Sequence, residues 1–191
     1  MTTLRPSHLI FLDIDGVLRP DKAYDAKLKK ESVDCLKTIA RHFNSRIVIT
    51  STWRDLHTWE VFNKPHLLDG LVIGETPDLD PMHNQNGRYS EVQAYLKKNK
   101  FDSVPWLAFD DKQVHYPVGH PQVYLTNPST GITRDDVQRI INGNIVQKPS
   151  AAGSTAYNEK TMKHIRSYMA QEGCSEKEAV EKLIGIAASI L

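Results

Sequence analysis

Two aspartates stand two residues apart directly after a short apolar run near the N-terminus. The run 9–12, LIFL, has no helical spacing, which is typical of a strand buried on both faces of a parallel sheet. Because side chains two apart on a strand point the same way, we expect Asp13 and Asp15 to converge just beyond its carboxyl end. Two such carboxylates repel each other unless a cation lies between them, and hard oxygen ligands favour Mg²⁺. The pattern therefore predicts a magnesium site, with an aspartate-stabilised turn as the structural alternative.

Two further predicted strands also end in polar residues. The β-branched run 46–50 ends in Thr50 and is followed by Ser51, and the run 104–109 leads into Asp110 and Asp111. Open parallel sheets keep their sites at the carboxyl ends of the strands. The convergence of three such ends is more informative than any one motif.

The elements that must position these residues alternate along the chain. Strands are predicted at 9–12, 46–50, 71–74, 104–109 and 123–125, and helices at 32–44, 56–62, 90–98 and, capped by Thr133, up to residue 143. Strands alternating with helices imply βαβ units and a right-handed, doubly wound parallel sheet of the α/β class.

Composition narrows the class of protein. The 191 residues carry a net charge of +1, so no overall field indicates nucleic acid or an anionic membrane, and any such preference must be local. The two cysteines, Cys35 and Cys174, have no metal-type spacing, which argues against a disulfide framework or a zinc site. Asp13 interrupts the longest apolar run near the N-terminus, which excludes a signal peptide or membrane span there. We therefore expect a cytoplasmic protein with no membrane partner.

The strand-end motifs together resemble those of the haloacid dehalogenase (HAD) superfamily of phosphotransfer enzymes. LDIDGVL at 12–18 is similar to the first motif, IVITS at 47–51 to the second and WLAFDD at 106–111 to the fourth. The resemblance covers roughly residues 9–143, with the motifs in the right order and on the right elements. It implies a HAD-like Rossmannoid sheet of about five strands in the order 5-4-1-2-3.

The resemblance also implies a mechanism. Asp13 would be the nucleophile that forms an aspartyl-phosphate, and Asp15 would protonate the leaving oxygen and then deprotonate the attacking water. Mg²⁺ would be held by Asp13, the backbone carbonyl of Asp15 and Asp110. Asp111 would be a further ligand or would contact the ligands without touching the ion.

The phosphate-binding residues leave alternatives open. Thr50 should donate a hydrogen bond to the phosphoryl group, with Ser51 as the alternative because the register of this motif is ambiguous by one residue. The family's third motif is a basic residue, usually lysine. Arg88, about one helix length before the fourth strand, is favoured here over Lys97 and Lys98, which lie late on the same helix.

Several other polar and aromatic residues follow the motifs and could line the entrance. They are Arg19, Trp53, Arg54, His57 and His115. Of these we expect only Arg54 to bind substrate, because cations near phosphate sites often serve binding. Its alternative role is a structural ion pair with the carboxylates around Asp13 or Asp110.

The chain divides into a predicted HAD-like catalytic domain at 1–146, a linker at 147–154 rich in Pro, Ser, Ala and Gly, and a C-terminal helical hairpin at 155–191. The second hairpin helix has an apolar stripe too broad to remain in water. We expect it to pack on the catalytic domain or to form a homodimer. Its lysines and arginines are matched by glutamates, so the charge expected of a DNA-binding module is missing.

The short connections between the motifs indicate the size of the substrate. About 35 residues separate Asp13 from Thr50, and a similar number separate Thr50 from Arg88, which is too few for an inserted cap domain. We therefore expect an open-sited, Mg²⁺-dependent phosphatase for a large substrate, such as a phosphorylated nucleic-acid end or a phosphoprotein. Alternatives are a nucleotide-like small-molecule phosphatase lidded by the tail or a second subunit, and a non-catalytic binding module. The intact Asp13, Asp15 and Asp110 argue against the last.

Overall fold

The computed structural model describes residues 5–20, 27–79 and 86–143. They belong to the first of two units into which the chain divides, Met1–Gln147 and Lys148–Leu191. The strands are β1 (His8–Leu12), β2 (Ser45–Ile49), β3 (Val72–Glu75), β4 (Trp106–Asp110) and β5 (Val123–Leu125). The α-helices are α1 (Lys30–His42), α2 (Gly87–Lys98) and α3 (Arg134–Ile141), and 3₁₀ helices cover Thr52–Asp55, Trp59–Asn63 and Gln113–His115.

The five strands form one parallel sheet in the order β3-β2-β1-β4-β5. This is the predicted order read from the opposite edge, so the predicted α/β fold class is confirmed. β1 lies at the centre, and its last residue, Leu12, pairs with Ile49 of β2 and Phe109 of β4. The residues that follow these three strands therefore lie side by side at one edge of the sheet.

Helices cover both faces of the sheet because successive residues of a strand point to opposite faces. On one face Ile10 and Leu12 pack in a cluster with apolar residues of α1 and α3. On the other face Leu9 and Phe11 pack with residues of α2. This burial on both sides explains why the run 9–12 is apolar without alternation.

The short helix predicted at 56–62 is a 3₁₀ helix at Trp59–Asn63, and a separate 3₁₀ helix at Thr52–Asp55 precedes it. Ser51 begins the first of the two by accepting a hydrogen bond from the backbone N–H of Trp53. Asn63 ends the second because its side chain pairs with both backbone groups of Val72, at 2.8 and 2.9 Å. These side-chain hydrogen bonds compete with a continuous α-helix.

The other helices lie close to their predicted positions. α2 begins at Gly87, three residues earlier than expected, so Arg88 lies in its first turn. Thr133 caps α3 in a capping box with Asp136. The predicted linker and helical hairpin, with the homodimer expected of the hairpin, lie outside the described residues. Within the part of the chain that the structure describes, no helix is both long and apolar enough to cross a membrane.

Candidate active site

Three carboxylates meet where β1 and β4 end. The backbone N–H of Asp13 donates to the carbonyl of Phe109 at 3.0 Å, which continues the pairing of the two strands. This places Asp13 beside Asp110 and Asp111, and one oxygen from each of the three lies within 4.8 Å of the others. Asp13 and Asp110 are buried, at 5% and 0% exposure. The cluster is the acidic centre that the strand ends predicted.

Burial makes the negative charge of this cluster costly. Desolvation raises the pKa of Asp110 well above its ordinary value, and the nearby charge of Asp13 raises it further. Desolvation also raises the pKa of Asp13, although the charge of Arg88 opposes this. One oxygen of Asp110 accepts from the N–H of Lys112 at 2.8 Å, whereas Oδ2 has no hydrogen-bond partner among the described residues. A hard divalent cation such as Mg²⁺ suits this set of close, buried oxygen ligands.

A glycine lets the loop after β1 approach the cluster. Gly16 has φ of +73°, and a Cβ atom there would lie 2.4 Å from Cγ of Asp111. Thr126, just after β5, donates from its hydroxyl to the carbonyl of Gly16 at 2.8 Å. The turn therefore packs directly on Asp111, and a larger residue would displace one of the two.

The side chain of Asp15 does not join the cluster. Its Oδ2 accepts from the indole Nε1 of Trp53 at 2.9 Å and its Oδ1 from Nη1 of Arg19 at 2.6 Å. The chain turns after β1, where the N–H of Gly16 donates to the carbonyl of Arg19, so strand alternation does not extend to Asp15. Its charge still acts on Asp13 and raises the pKa of that carboxyl. Asp15 remains 36% exposed, and the two aspartates of the motif therefore lie in different environments.

Both candidate hydroxyls lie at the site. The backbone N–H of Thr50 donates to the carbonyl of Leu12 at 2.8 Å, and its buried hydroxyl has no partner of hydrogen-bond geometry among the described residues. Ser51 is also fully buried, and its side-chain hydrogen bond to Asp13 partly offsets the rise in the pKa of that carboxyl. Both residues therefore lie at the strand ends beside Asp13, and the choice between them for the second motif stays open.

Arg88 brings a positive charge to the cluster. Its Nη1 lies 3.7 Å from Oδ1 of Asp13, and its side chain is 5% exposed. Neither Nε nor Nη1 has a hydrogen-bond partner among the described residues. Lys97 and Lys98 are exposed in the last turn of the same helix. The geometry therefore favours Arg88 as the cation of the third motif.

Arg54 lies in a buried network beside the site. Its two terminal nitrogens donate to the two carboxylate oxygens of Glu91, at 2.9 and 2.7 Å, and one of them also donates to Thr76 at 2.9 Å. Arg54 and Glu91 are 5% and 0% exposed. The partner is therefore neither Asp13 nor Asp110, and substrate binding by Arg54 stays a prediction.

One protein-family model matches most of this chain. The model of the HAD domain in Swiss Army Knife RNA repair proteins matches residues 9–137. The chain belongs to this family. HAD domains are generally hydrolases and typically depend on a metal, in agreement with the carboxylate cluster. No curated protein and no solved structure matches the chain.

Sequence reasoning missed two residues of this HAD domain. The sequence did not single out Glu91. This residue lies on the buried face of α2, which also carries Arg88, Val92 and Tyr95. A carboxylate on an apolar helical stripe could have indicated a buried cationic partner. Tyr116 was also missed; it is 1% exposed, and burial together with the charge of Asp110 raises its pKa well above the ordinary value. Nothing in its sequence context indicates this position.

Proposed function

We propose that this HAD domain is a phosphomonoester hydrolase that acts on a phosphorylated nucleic-acid end through an aspartyl-phosphate on Asp13. One observation carries the proposal: the Asp13 carboxylate lies 3.7 Å from a buried guanidinium and clusters with two further carboxylates. The unpaired N–H groups of Arg88 match phosphate oxygens, and the carboxylates match a cation. The positive charge of Arg88 and of a bound cation would let an anionic phosphate approach the anionic carboxylate of Asp13.

The reaction would proceed in two displacements. A carboxylate oxygen of Asp13 attacks phosphorus, the bond from phosphorus to the ester oxygen breaks, and Asp15 gives its proton to that oxygen. Water then attacks phosphorus and gives a proton to Asp15, the bond between Asp13 and phosphorus breaks, and phosphate leaves. Asp15 suits this role because its side chain lies outside the cluster and is partly exposed. Arg88 and Thr50, or Ser51 in place of Thr50, would hold the phosphoryl oxygens.

Asp13, Asp110 and the backbone carbonyl of Asp15 would hold Mg²⁺, with Asp111 as a further ligand or behind them. When bound, the ion would offset the repulsion between these carboxylates and the phosphate. The raised pKa values of Asp13 and Asp110 agree with this assignment, because burial chiefly causes both shifts and a bound cation would compensate the charge of the buried carboxylates.

The choice of a nucleic-acid end rests on the family and on the open connections. The family is described from RNA repair proteins. Among the described residues, only α1 lies between β1 and β2, and only 3₁₀ helices lie between β2 and β3. These short connections support a site without a cap domain, which a polymer end can enter.

Phosphate release from a panel of substrates tests this proposal. The panel contains oligoribonucleotides phosphorylated at the 5′ or the 3′ end, a phosphopeptide and a mononucleotide. We expect turnover with Mg²⁺, with kcat/KM highest for one of the oligoribonucleotides, because remote contacts add binding energy only to a large substrate. Faster turnover of the phosphopeptide or of the mononucleotide would contradict the proposed substrate.

A further inference from the structure

A cavity of about 600 Å³ lies between the start of α1 and the segment 53–67. Leu28, Val61 and Leu67 contribute to its apolar wall. Trp53 also lines it, and the indole N–H of this residue donates to Asp15. Trp53 therefore joins the cavity to Asp15 of the proposed active site, and the cavity volume lies in the usual range of ligand sites.

Three lysines, Lys27, Lys30 and Lys64, line this cavity together with His57 and His66, and no acidic residue does so among the described residues. Lys30 also pairs with Asp34 at the start of α1. Because the whole chain is nearly neutral, at +1, these lysines are a local concentration of positive charge that composition could not reveal.

We propose that this cavity, which we call the basic cavity, holds the nucleotide next to the phosphorylated end of a single-stranded oligoribonucleotide. The apolar wall and Trp53 contact the base and the sugar, and Lys27 and Lys64 contact the phosphodiester. This inference rests on the proposed function, since the terminal phosphate must lie at Asp13.

Two properties favour this ligand over others. Apolar or aromatic surface edged by lysines is typical of sites that bind single-stranded nucleic acid without reading its sequence. A mononucleotide has only the phosphate that Arg88 and the metal would take, so it brings no second phosphate to the lysines. The backbone of a peptide is uncharged, so a peptide offers the lysines an anion only where its sequence contains one. The inference therefore predicts a dependence on chain length.

Kinetics of the full-length protein test the inference. With oligoribonucleotides of one to six residues, KM should fall from the mononucleotide to the dinucleotide and then change little. In the double variant Lys27→Glu/Lys64→Glu, KM for the longer substrates should rise on the order of tenfold, because neither lysine can then bind a phosphate. The variant's kcat/KM for the mononucleotide should fall much less than that for the longer substrates, because the mononucleotide contacts neither lysine.

Lys98→Glu is the matched control. Lys98 is exposed at the end of α2, whose apolar residues pack on the opposite face of the sheet from Val33 and Phe62 of the basic cavity. The control reverses one charge, half the change in the double variant, and does so away from the cavity, so it should leave every KM near that of the wild type. The dependence of log KM on log salt should also weaken by about 0.7 for each phosphate that the protein no longer neutralises, and only in the cavity variant.

Binding without turnover separates this inference from the proposed function. Fluorescence anisotropy of a labelled oligoribonucleotide without a terminal phosphate, in EDTA, should show weaker binding to the double variant than to the Lys98→Glu control. Equal binding, or an unchanged ratio of KM values between long and short substrates, would overturn the inference even if phosphate is released normally. Equal loss of affinity for a phosphopeptide would overturn the choice of nucleic acid. Lysine-dependent binding without any phosphatase activity would support the cavity and refute only the proposed function.

Discussion

Removal of the Glu91 carboxylate should destabilise the HAD domain strongly. In Glu91→Ala the guanidinium of Arg54, 5% exposed, keeps its charge and loses its buried carboxylate, and the N–H of Leu79 loses an acceptor 3.3 Å away. Arg54 then keeps only the carboxylate of Asp78 at 3.5 Å, whose side chain is 60% exposed, and the hydroxyl of Thr76. Breaking a buried ion pair by removing one partner costs about 3–5 kcal/mol. In a chain of this length that corresponds to a fall in Tm of roughly 10 °C.

The same change should lower kcat. Arg54 lies in the 3₁₀ helix that Ser51 begins, and Glu91 lies one turn after Arg88 on α2. The pair therefore joins the segment after Thr50 to the helix that carries the proposed phosphate-binding cation. We expect Arg54→Met/Glu91→Leu to recover most of the stability, because an apolar pair of similar volume removes both charges together.

Tryptophan fluorescence during thermal and urea unfolding measures these effects. The three tryptophans, Trp53, Trp59 and Trp106, all lie in the HAD domain, so the signal reports its unfolding and not that of the C-terminal unit. Glu31→Ala is the control, because its ion pairs are exposed and should contribute at most about 1 kcal/mol. A loss in Glu91→Ala no larger than that of the control would refute the reasoning.

Three further predictions concern the cation, the metal and pH. Arg88→Met should lower kcat by about 10²–10³-fold, because a preorganised charge at the phosphoryl group is removed, whereas Lys98→Met should have no effect on phosphate release. EDTA should abolish turnover and Mg²⁺ restore it, and excess Ca²⁺ should inhibit because it takes more ligands at longer distances; full activity after chelation would exclude the metal. Burial, together with the charges of Arg88 and Lys112, lowers the pKa of His115 to about 4. Because the unfolded chain takes up this proton near pH 6.5, the stability from neutral His115 is complete above that pH and is lost as pH falls toward 4. His115→Gln should therefore flatten the fall of Tm over this window, and an unchanged curve would contradict the shift.

The sheet and the row of residues at its edge could be predicted because they depend on local patterns. The unbroken apolar run of β1 indicated a central strand, and each motif stood where its strand had to end. The pairing of Leu12 with Ile49 and Phe109 then places Asp13, Thr50 and Asp110 in adjacent positions. Strand periodicity and parallel pairing were sufficient for this part of the site.

The partners of individual side chains could not be predicted in the same way. The turn after β1 directs Asp15 toward Trp53 and Arg19, and no periodic rule extends through a turn. Arg54 and Glu91 come together from separate elements across the end of β3, a contact that depends on tertiary packing. The hydrogen bonds of Asn63 to Val72 of β3 likewise come from tertiary structure, and they lie at the end of the 3₁₀ helix that covers most of the predicted helix at 56–62.

The central claim is that Asp13 carries the phosphoryl group during turnover. The direct measurement is acid quenching of the reaction within the first turnover, followed by mass spectrometry of the peptide that contains residue 13. We expect the mass of one phosphoryl group on Asp13 in the wild type. We expect none in Asp13→Asn, which should fold normally and release no phosphate, because its side chain keeps the volume but lacks the nucleophilic oxygen anion. Turnover by Asp13→Asn near the wild-type rate, or a phosphoryl group on another side chain, would contradict the account.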